Sequence, residues 1–460
     1  VYKRQLSQFN QNGFIFDKGP SWYWMPEIFD NFFKDFNRNT NDFYTLKRLD
    51  PSYQFITKNG LFNIPANFED LCELFESIEK NSSKSLVEYI RIAEHKYKLS
   101  IDNFLNLNGE SYFELLNPTI IKNLHKLNIF ISLRRHIKKY FKSPDLIKLL
   151  EFPSMFLGGT PSTTPGVYSM MNFADIKEGT WYPMGGMYQI INAMKKIAIE
   201  LGVNFKFDRN VTGFSVRNNE ITYAEYSKNK FLEANHYISN CEYPFIQLNV
   251  LNPKYQSYSE EYWDSRKIAP SAVIFHLGVS KKIEFLKHHN LFFDEDFDSH
   301  LDEIYNKKKF PSKPLFYVCC PSKTDDSIIP NDTMENIFIL IPVSTDTNPT
   351  KETIDFYFNY VMNKLEKYEG SKIVSNIIEK VCYTKNDFIS EYNSYKGNAY
   401  GLANTLTQTA TFKPKISDKK IKNLSYCGHF TVPGPGVPPS IISGKIVSNI
   451  LEKRYEKKLR

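Results

Sequence analysis

The stretch CGHFTVPGPGVPPSIISGKIVSNIL, from Cys427 to Leu451, sets four prolines and two glycines within ten residues, just ahead of an apolar, helix-compatible run. The chemistry open to it belongs to the backbone. Glycines let the main chain approach a ligand closely, and the dipole and free N–H groups of a helix start favour an anion such as a pyrophosphate. Local rules place a short strand at Asn423 to Gly428, no helix from Pro433 to Pro439, and Ser440 as N-cap of a helix beginning IISGKIVSNIL. Taken alone, the same residues also describe a rigid surface loop before a helix.

Side chains offer fewer leads. There is no Ser/His/Asp or Cys/His nucleophilic set, no phosphate-binding P-loop, and no metal site is expected. The six cysteines (Cys72, Cys241, Cys319, Cys320, Cys382 and Cys427) form no C-x-x-C or Cys/His ligand spacing. Asp175 and Glu178, close to the Gly185-Gly186 turn, are candidate proton acceptors that also read as exposed loop acids. The net charge of +7 is unevenly spread. Between Ile120 and Leu150, Lys122, Lys126, Arg134, Arg135, Lys138, Lys139, Lys142 and Lys148 face one acid, Asp145. Leu127, Ile129, Phe130, Ile131, Leu133, Ile137, Tyr140 and Phe141 interleave with them, a pattern that fits either a helix on an anionic membrane surface or a solvated basic face on a core helix. No nucleic-acid motif accompanies the patch, and nucleic acid is not expected as a partner.

The elements that must position such groups are legible from periodicity. At 460 residues and 42% hydrophobic, the chain can bury a large core in two or three domains. Two helices are expected between Glu69 and Leu99, and the basic segment is also helical in pattern. A helix from Met187 to Leu201 stops at Gly202 and leads into a strand, VNFKF. VTGFSV, ITYAEYS and FLEANHYIS supply three more strands, followed by SAVIFHLGVS, LFYVCC and NIFILIPV and a helix around KETIDFYFNYVMNKLEKYEG. This mixture suggests a nucleotide-binding part interleaved with a substrate-facing part. No run of 18 apolar residues is present, no signal peptide opens the chain, and the cysteine usage points to a reducing cytoplasm.

With these pieces in place, the sequence resembles the bacterial-type phytoene desaturases, within the FAD-dependent amine-oxidase-like superfamily. The likeness runs in order through GFIFDKGPSWYWMP (from Gly13), LKRLDPSY (from Leu46), FLGGTPSTTPGVYSMMNFAD (from Phe156), GTWYPMGGMY (from Gly179), LFYVCCPSKTDDSIIP (from Leu315) and NSYKGNAYGLANTLTQTATFKP (from Asn393), and ends in GHFTVPGPGVPPSIISGK. It implies an α/β (mixed α+β) fold in which a Rossmann-like FAD-binding domain interleaves with a substrate domain and a helical, membrane-associating part. The implied parts are 1–68, 179–242 and 401–460 for FAD, 69–178 for the helical part and 243–400 for substrate.

The resemblance also implies site residues. Gly19, Pro20, Ser21, Gly185, Gly186, Val211, Gly428, Thr431, Gly436, Val437 and Pro438 would meet FAD, with His429 departing from the family's usual residue at its position. Val211 would open a strand and meet adenine. Trp22, Tyr23, Trp24, Phe156, Tyr168 and Trp181, with Phe173 and Tyr182, would line an apolar tunnel. The implied reaction is desaturation of phytoene to lycopene or a related polyene by a cytoplasmic enzyme peripherally bound to membrane, with oxygen or a quinone as electron acceptor. A sister carotenoid desaturase, an isomerase, a retinol-saturase-like enzyme and a non-catalytic carotenoid- or lipid-binding protein are the alternatives. The G-x-G-x-x-G turn of a dinucleotide fold is absent from the opening residues, so a sequence short of roughly 40 residues of the βαβ unit is expected.

Overall fold

A computed structural model describes residues 6–101, 107–111, 113–114, 122, 127–227 and 230–459. Its centre is the strand Ser271–Val279, in which all nine residues are buried. Such a strand needs cover on both faces, and it reads as a mostly apolar run, broken by His276, rather than an alternating one. Val273, Phe275, Leu277 and Val279 pack toward the helix Lys351–Glu369, which contributes Tyr357, Val361 and Leu365. Ala272 and Ile274 face the opposite way, into a second and larger core.

Seven strands form this sheet, in the order Ile377–Tyr383, Ser271–Val279, Glu335–Val343, Phe316–Cys319, His289–Phe292, Tyr53–Thr57, Gly60–Ile64. Every pairing is antiparallel except that of His289–Phe292 with Tyr53–Thr57, where Asn290 lies opposite Gln54. The sheet therefore draws on two of the expected parts, 1–68 and 243–400. Helices Phe68–Ile78 and Ser82–Leu99 fall where the periodicity places them, the first capped by Asn67, whose side chain accepts from the Asp70 N–H. Tyr188–Glu200 likewise occupies the expected helix, and Tyr237–Ser239 runs parallel to Leu424–Tyr426, which feeds the Pro/Gly stretch.

Three expectations need correction. VNFKF forms no strand: residues 203–207 have no ladder partner, and Val203 and Phe207 are exposed. FLEANHYIS divides into Lys230–Leu232 and Tyr237–Ser239. The basic segment is not one helix, because Ser132 caps Leu133–Ile137 and Pro144 starts a separate helix, Pro144–Glu151. Most of 115–126 lies outside the described residues. Leu127, Leu133, Ile137 and Phe141 are core residues. Arg134 is also structural: its guanidinium donates to the buried Glu151 carboxylate at 2.6 and 2.7 Å and to Asp298 at 2.7 Å. Among the described residues, no helix is long and apolar enough to cross a membrane.

Candidate functional site

The larger core opens into a cavity of about 1430 Å³. That exceeds the roughly 300–1,000 Å³ of ordinary small-molecule pockets. One wall is the sheet face, through Ile274, Leu291, Tyr317, Phe338 and Leu340. Gly19, Pro20, Ser21, Trp22 and Trp24 cross a second side, Met155, Tyr168, Met170 and Met171 a third, and the whole stretch Val432 to Ser440 a fourth.

The Pro/Gly stretch is held open by its own side chains. Ser443 Oγ accepts the Gly428 N–H at 3.0 Å, and Thr431 Oγ1 donates to the Gly428 carbonyl at 2.9 Å. Thr431 thus braces the loop from behind, while Gly428, Gly436, Val437 and Pro438 line the cavity. Gly436 has φ +116°, and a Cβ there would sit 3.2 Å from Pro439 Cδ, so both backbone and space demand glycine. The helix begins at Val437, four residues earlier than expected, with Pro438 and Pro439 in its first turn. Prolines are tolerated there because first-turn N–H groups have no intrahelical acceptor. Ser440 is therefore not the N-cap: its N–H and its hydroxyl both donate to the Gly436 carbonyl, at 3.0 and 2.7 Å. The prolines also delete two of the donors an anion would have met, leaving the dipole with few free amides.

Buried polar groups without partners lie beside the loop at Gly434. Lys413, 2% exposed, has no hydrogen-bond acceptor for its ammonium, and burial pushes its pKa down to about 7. Asn404 Oδ1 and Thr411 Oγ1 are similarly unpartnered. Asn404 Oδ1 and Lys413 Cε both lie 3.4 Å from the point a Cβ on Gly434 would occupy, so the glycine keeps this polar corner open to the bare loop. Unpaired groups of this kind cost on the order of 1–3 kcal/mol each until a ligand satisfies them.

The sequence-derived residues divide sharply. Trp22, Trp24 and Tyr168 line the cavity; the Trp24 indole N–H donates to Thr180 Oγ1 at 2.8 Å, and Tyr168 bonds Thr409 at 2.9 Å. Tyr23 lies instead in a separate core, bonded to Tyr44, and Trp181 donates to the Glu178 carbonyl. Phe173 and Tyr182 are core, and the Phe156 side chain lies outside the described residues. Gly185 and Gly186 sit against carboxylates: the Gly185 N–H donates to Asp325 at 2.6 Å and the following Met187 N–H to Asp17 at 2.7 Å. Val211 lies two residues before the strand Gly213–Arg217, packed on a third core away from the cavity wall.

Asp175 is not an exposed loop acid. It is 2% exposed, accepts from Tyr53 OH at 2.7 Å and Thr180 Oγ1 at 3.2 Å, and is raised by burial to about 7. Glu178 is half-buried. Neither lines the cavity, whereas Glu242 and His429 do, side by side, with Glu242 Oε2 3.1 Å from His429 Nε2. Sequence reasoning missed Glu242 because it stands 187 residues from its partner in an unremarkable loop. Against the expectation of no metal ligands, the fold also gathers His288, His289 and Cys319 behind Trp22.

The whole arrangement finds its relatives. A family model described as flavin containing amine oxidoreductase matches residues 4–451. The chain belongs to that family. This flavin oxidoreductase is 31% identical over 449 residues to a carotenoid 3,4-desaturase of Haloarcula japonica, covering 97% of this chain and 90% of that one. It is 26% identical to a zeta-carotene-forming phytoene desaturase of Myxococcus xanthus, over 96% and 85% of the two chains. Within the family it therefore groups with the carotenoid desaturases, as an oxidoreductase acting on CH–CH bonds with FAD as cofactor. In fold, the flavin oxidoreductase is similar to an oxidoreductase from Methanosarcina mazei (TM-score 0.59, 14% identity, 98% and 91% coverage) and to a putrescine oxidase (TM-score 0.59, 10% identity, 98% and 92% coverage).

Proposed function

We propose that this protein desaturates an acyclic carotenoid, phytoene or a close derivative, inside the cavity between Trp22 and the Val432–Ser440 loop. The observation that carries the reading is a large, mostly apolar cavity with the unpartnered polar groups of Asn404 and Lys413 beside its bare loop. The cavity suits a hydrocarbon chain and the polar groups suit a flavin ring. Gly19 to Ser21, Gly434 to Val437, Asn404 and Lys413 would hold FAD, which supplies the oxidant that takes a hydride from the substrate. Asn404 and Lys413 then lose their desolvation penalty, and their fixed positions orient the cofactor edge.

The chain's own task is to position one C–H bond and keep water out. Trp22 stacks on His289 with ring centroids 4.1 Å apart, which fixes the indole as a flat wall. Met155, Met170 and Met171 fill irregular gaps along a polyene. The proton that leaves the neighbouring carbon goes to the Glu242–His429 pair, the acid–base group facing the cavity beside the loop. Ile129, Leu406 and Phe412 edge the cavity, and Phe130, 80% exposed, stands beside Ile129. This apolar rim, with the exposed Arg135, Lys138 and Lys139, suits a surface that lies on an anionic bilayer and draws substrate from it.

A second reading is desaturation of the 3,4 bond of a more oxidised carotenoid, favoured by the higher identity to the Haloarcula japonica enzyme. Expression beside a phytoene supply, with pigment chromatography, tests the choice. New double bonds in phytoene support the first reading. Untouched phytoene, with conversion of an already coloured carotenoid, moves the assignment to the second.

A further inference from the structure

Behind the cavity wall, the end of strand His289–Phe292 faces Cys319 across an antiparallel pairing in which His289 and Cys319 are direct partners. His288, His289 and Cys319 are all buried, and a ring nitrogen of each imidazole and the Cys319 sulfur lie within 4.8 Å of one another. Each imidazole has its Nδ1 engaged with a hydroxyl: His288 with Thr324 Oγ1 at 2.7 Å and His289 with Tyr317 OH at 2.6 Å. The other ring nitrogen, Nε2, has no hydrogen-bond partner in either residue, although both side chains are at most 4% exposed. Two buried imidazole nitrogens without partners thus stand beside a buried thiol, each having given up its hydration with no hydrogen bond in return.

We propose that His288, His289 and Cys319 form a metal site for zinc(II) or a cation of the same class. The donor set suits a borderline-soft ion: imidazole and thiolate together select zinc over magnesium or calcium, which take oxygen. Bonds of about 2.0–2.3 Å imply ligand separations of about 3.3–3.6 Å in a tetrahedron, so the three donors need to draw in by about an ångström. On binding, the Cys319 thiol gives its proton to solvent as the sulfur–metal bond forms. The imidazoles donate lone pairs and exchange no proton. The hydroxyls of Thr324 and Tyr317 are the outer partners that fix ring orientation, as such partners do in known metal sites. The ion would clamp two neighbouring strands and fix the His289 ring on which Trp22 lies.

The test uses the flavin-loaded full chain purified without a metal-affinity tag. Elemental analysis is expected to find about one zinc per chain. Exchange for cobalt(II) is expected to give a thiolate-to-cobalt charge-transfer band and tetrahedral d–d bands to the red of the flavin, read as a difference spectrum against the zinc form. Cys319→Ala should abolish the charge-transfer band, Cys320→Ala should leave it intact, and Thr324→Val should weaken cobalt binding about 10–100-fold. The parent spectrum needs no variant to fold. Absence of both zinc and a cobalt–thiolate band in the parent overturns the proposal, as does a cobalt spectrum that survives Cys319→Ala. Neither result bears on carotenoid conversion, which is read separately from pigments.

Discussion

Replacing Asp175 by Asn should remove a pH dependence of stability that arises at one point in the core. In the folded protein the Asp175 carboxyl is raised by burial from 3.8 to about 7, with only the hydroxyls of Tyr53 and Thr180 to support it. The unfolded chain ionises it near pH 4, so between about pH 4 and 7 the folded state binds more protons and stability falls as pH rises. The contribution is fully present below about pH 4 and gone above about 7. Integrated from pH 5 to 8.5, it amounts to about 3 kcal/mol, at 1.36 kcal/mol per pH step over the part of the window crossed. Asn cannot ionise, keeps an acceptor for Tyr53 and gives up one good contact to Thr180, at about 1 kcal/mol. The parent has already lost about 1.6 kcal/mol of this at pH 5, so Asp175→Asn should be within about 1 kcal/mol of the parent at pH 5 and more stable by about 3 kcal/mol at pH 8.5. Urea unfolding of the flavin-loaded proteins at both pH values measures the difference. A parent–variant gap that changes by less than about 1 kcal/mol across this range would refute the buried, protonated Asp175.

Gly436→Val should lower FAD content several-fold, by forcing a side chain into a φ +116° position 3.2 Å from Pro439, as read from flavin absorbance per protein. Lys413→Met should stabilise the cofactor-free chain by roughly 2–4 kcal/mol at pH 7, because a lone buried ammonium is removed, and should weaken FAD binding; thermal unfolding and flavin titration report the two signs. Arg134→Gln should cost about 3–5 kcal/mol by stranding the Glu151 carboxylate, with little effect on liposome binding beyond that of unfolding. Changing Arg135, Lys138 and Lys139 together to Gln should do the reverse, leaving urea midpoints in place and reducing sedimentation with anionic vesicles at low salt.

Much of the scaffold was legible because its elements carry strong local signals. The nine-residue apolar strand Ser271–Val279 and the amphipathic helix Lys351–Glu369 are recognisable without neighbours. VNFKF shows the limit: its pattern is strand-like, but a strand exists only where another offers its backbone, and none does here. The loop from Val432 to Ser440 was legible as a stiff, bare turn, and it lines the cavity, whereas its exact helix start was not legible. Ser440 looks like a cap until Pro438 and Pro439 are seen to be good first-turn residues. The acids went wrong for a different reason: solvent exposure of Asp175 depends on Tyr53, which lies 122 residues earlier. Glu242 with His429, and His289 with Cys319, are pairs that only the assembled fold creates.

The parallel pairing of Tyr53–Thr57 with His289–Phe292 has a consequence in time. Gln54 meets Asn290, 236 residues later in the chain. At a synthesis rate of roughly 5–20 residues per second, the first of these strands waits about 12–47 s on the ribosome before its partner emerges. Through that interval Ile56, whose core neighbours all come from residue 273 onward, has only the hairpin with Gly60–Ile64 for shelter, while Tyr53 and Phe55 can already meet Phe152. A two-stranded hairpin is marginal by itself. The cavity wall is thus finished late, and the cell's holding chaperones bear on the yield of this protein more than its final stability would suggest.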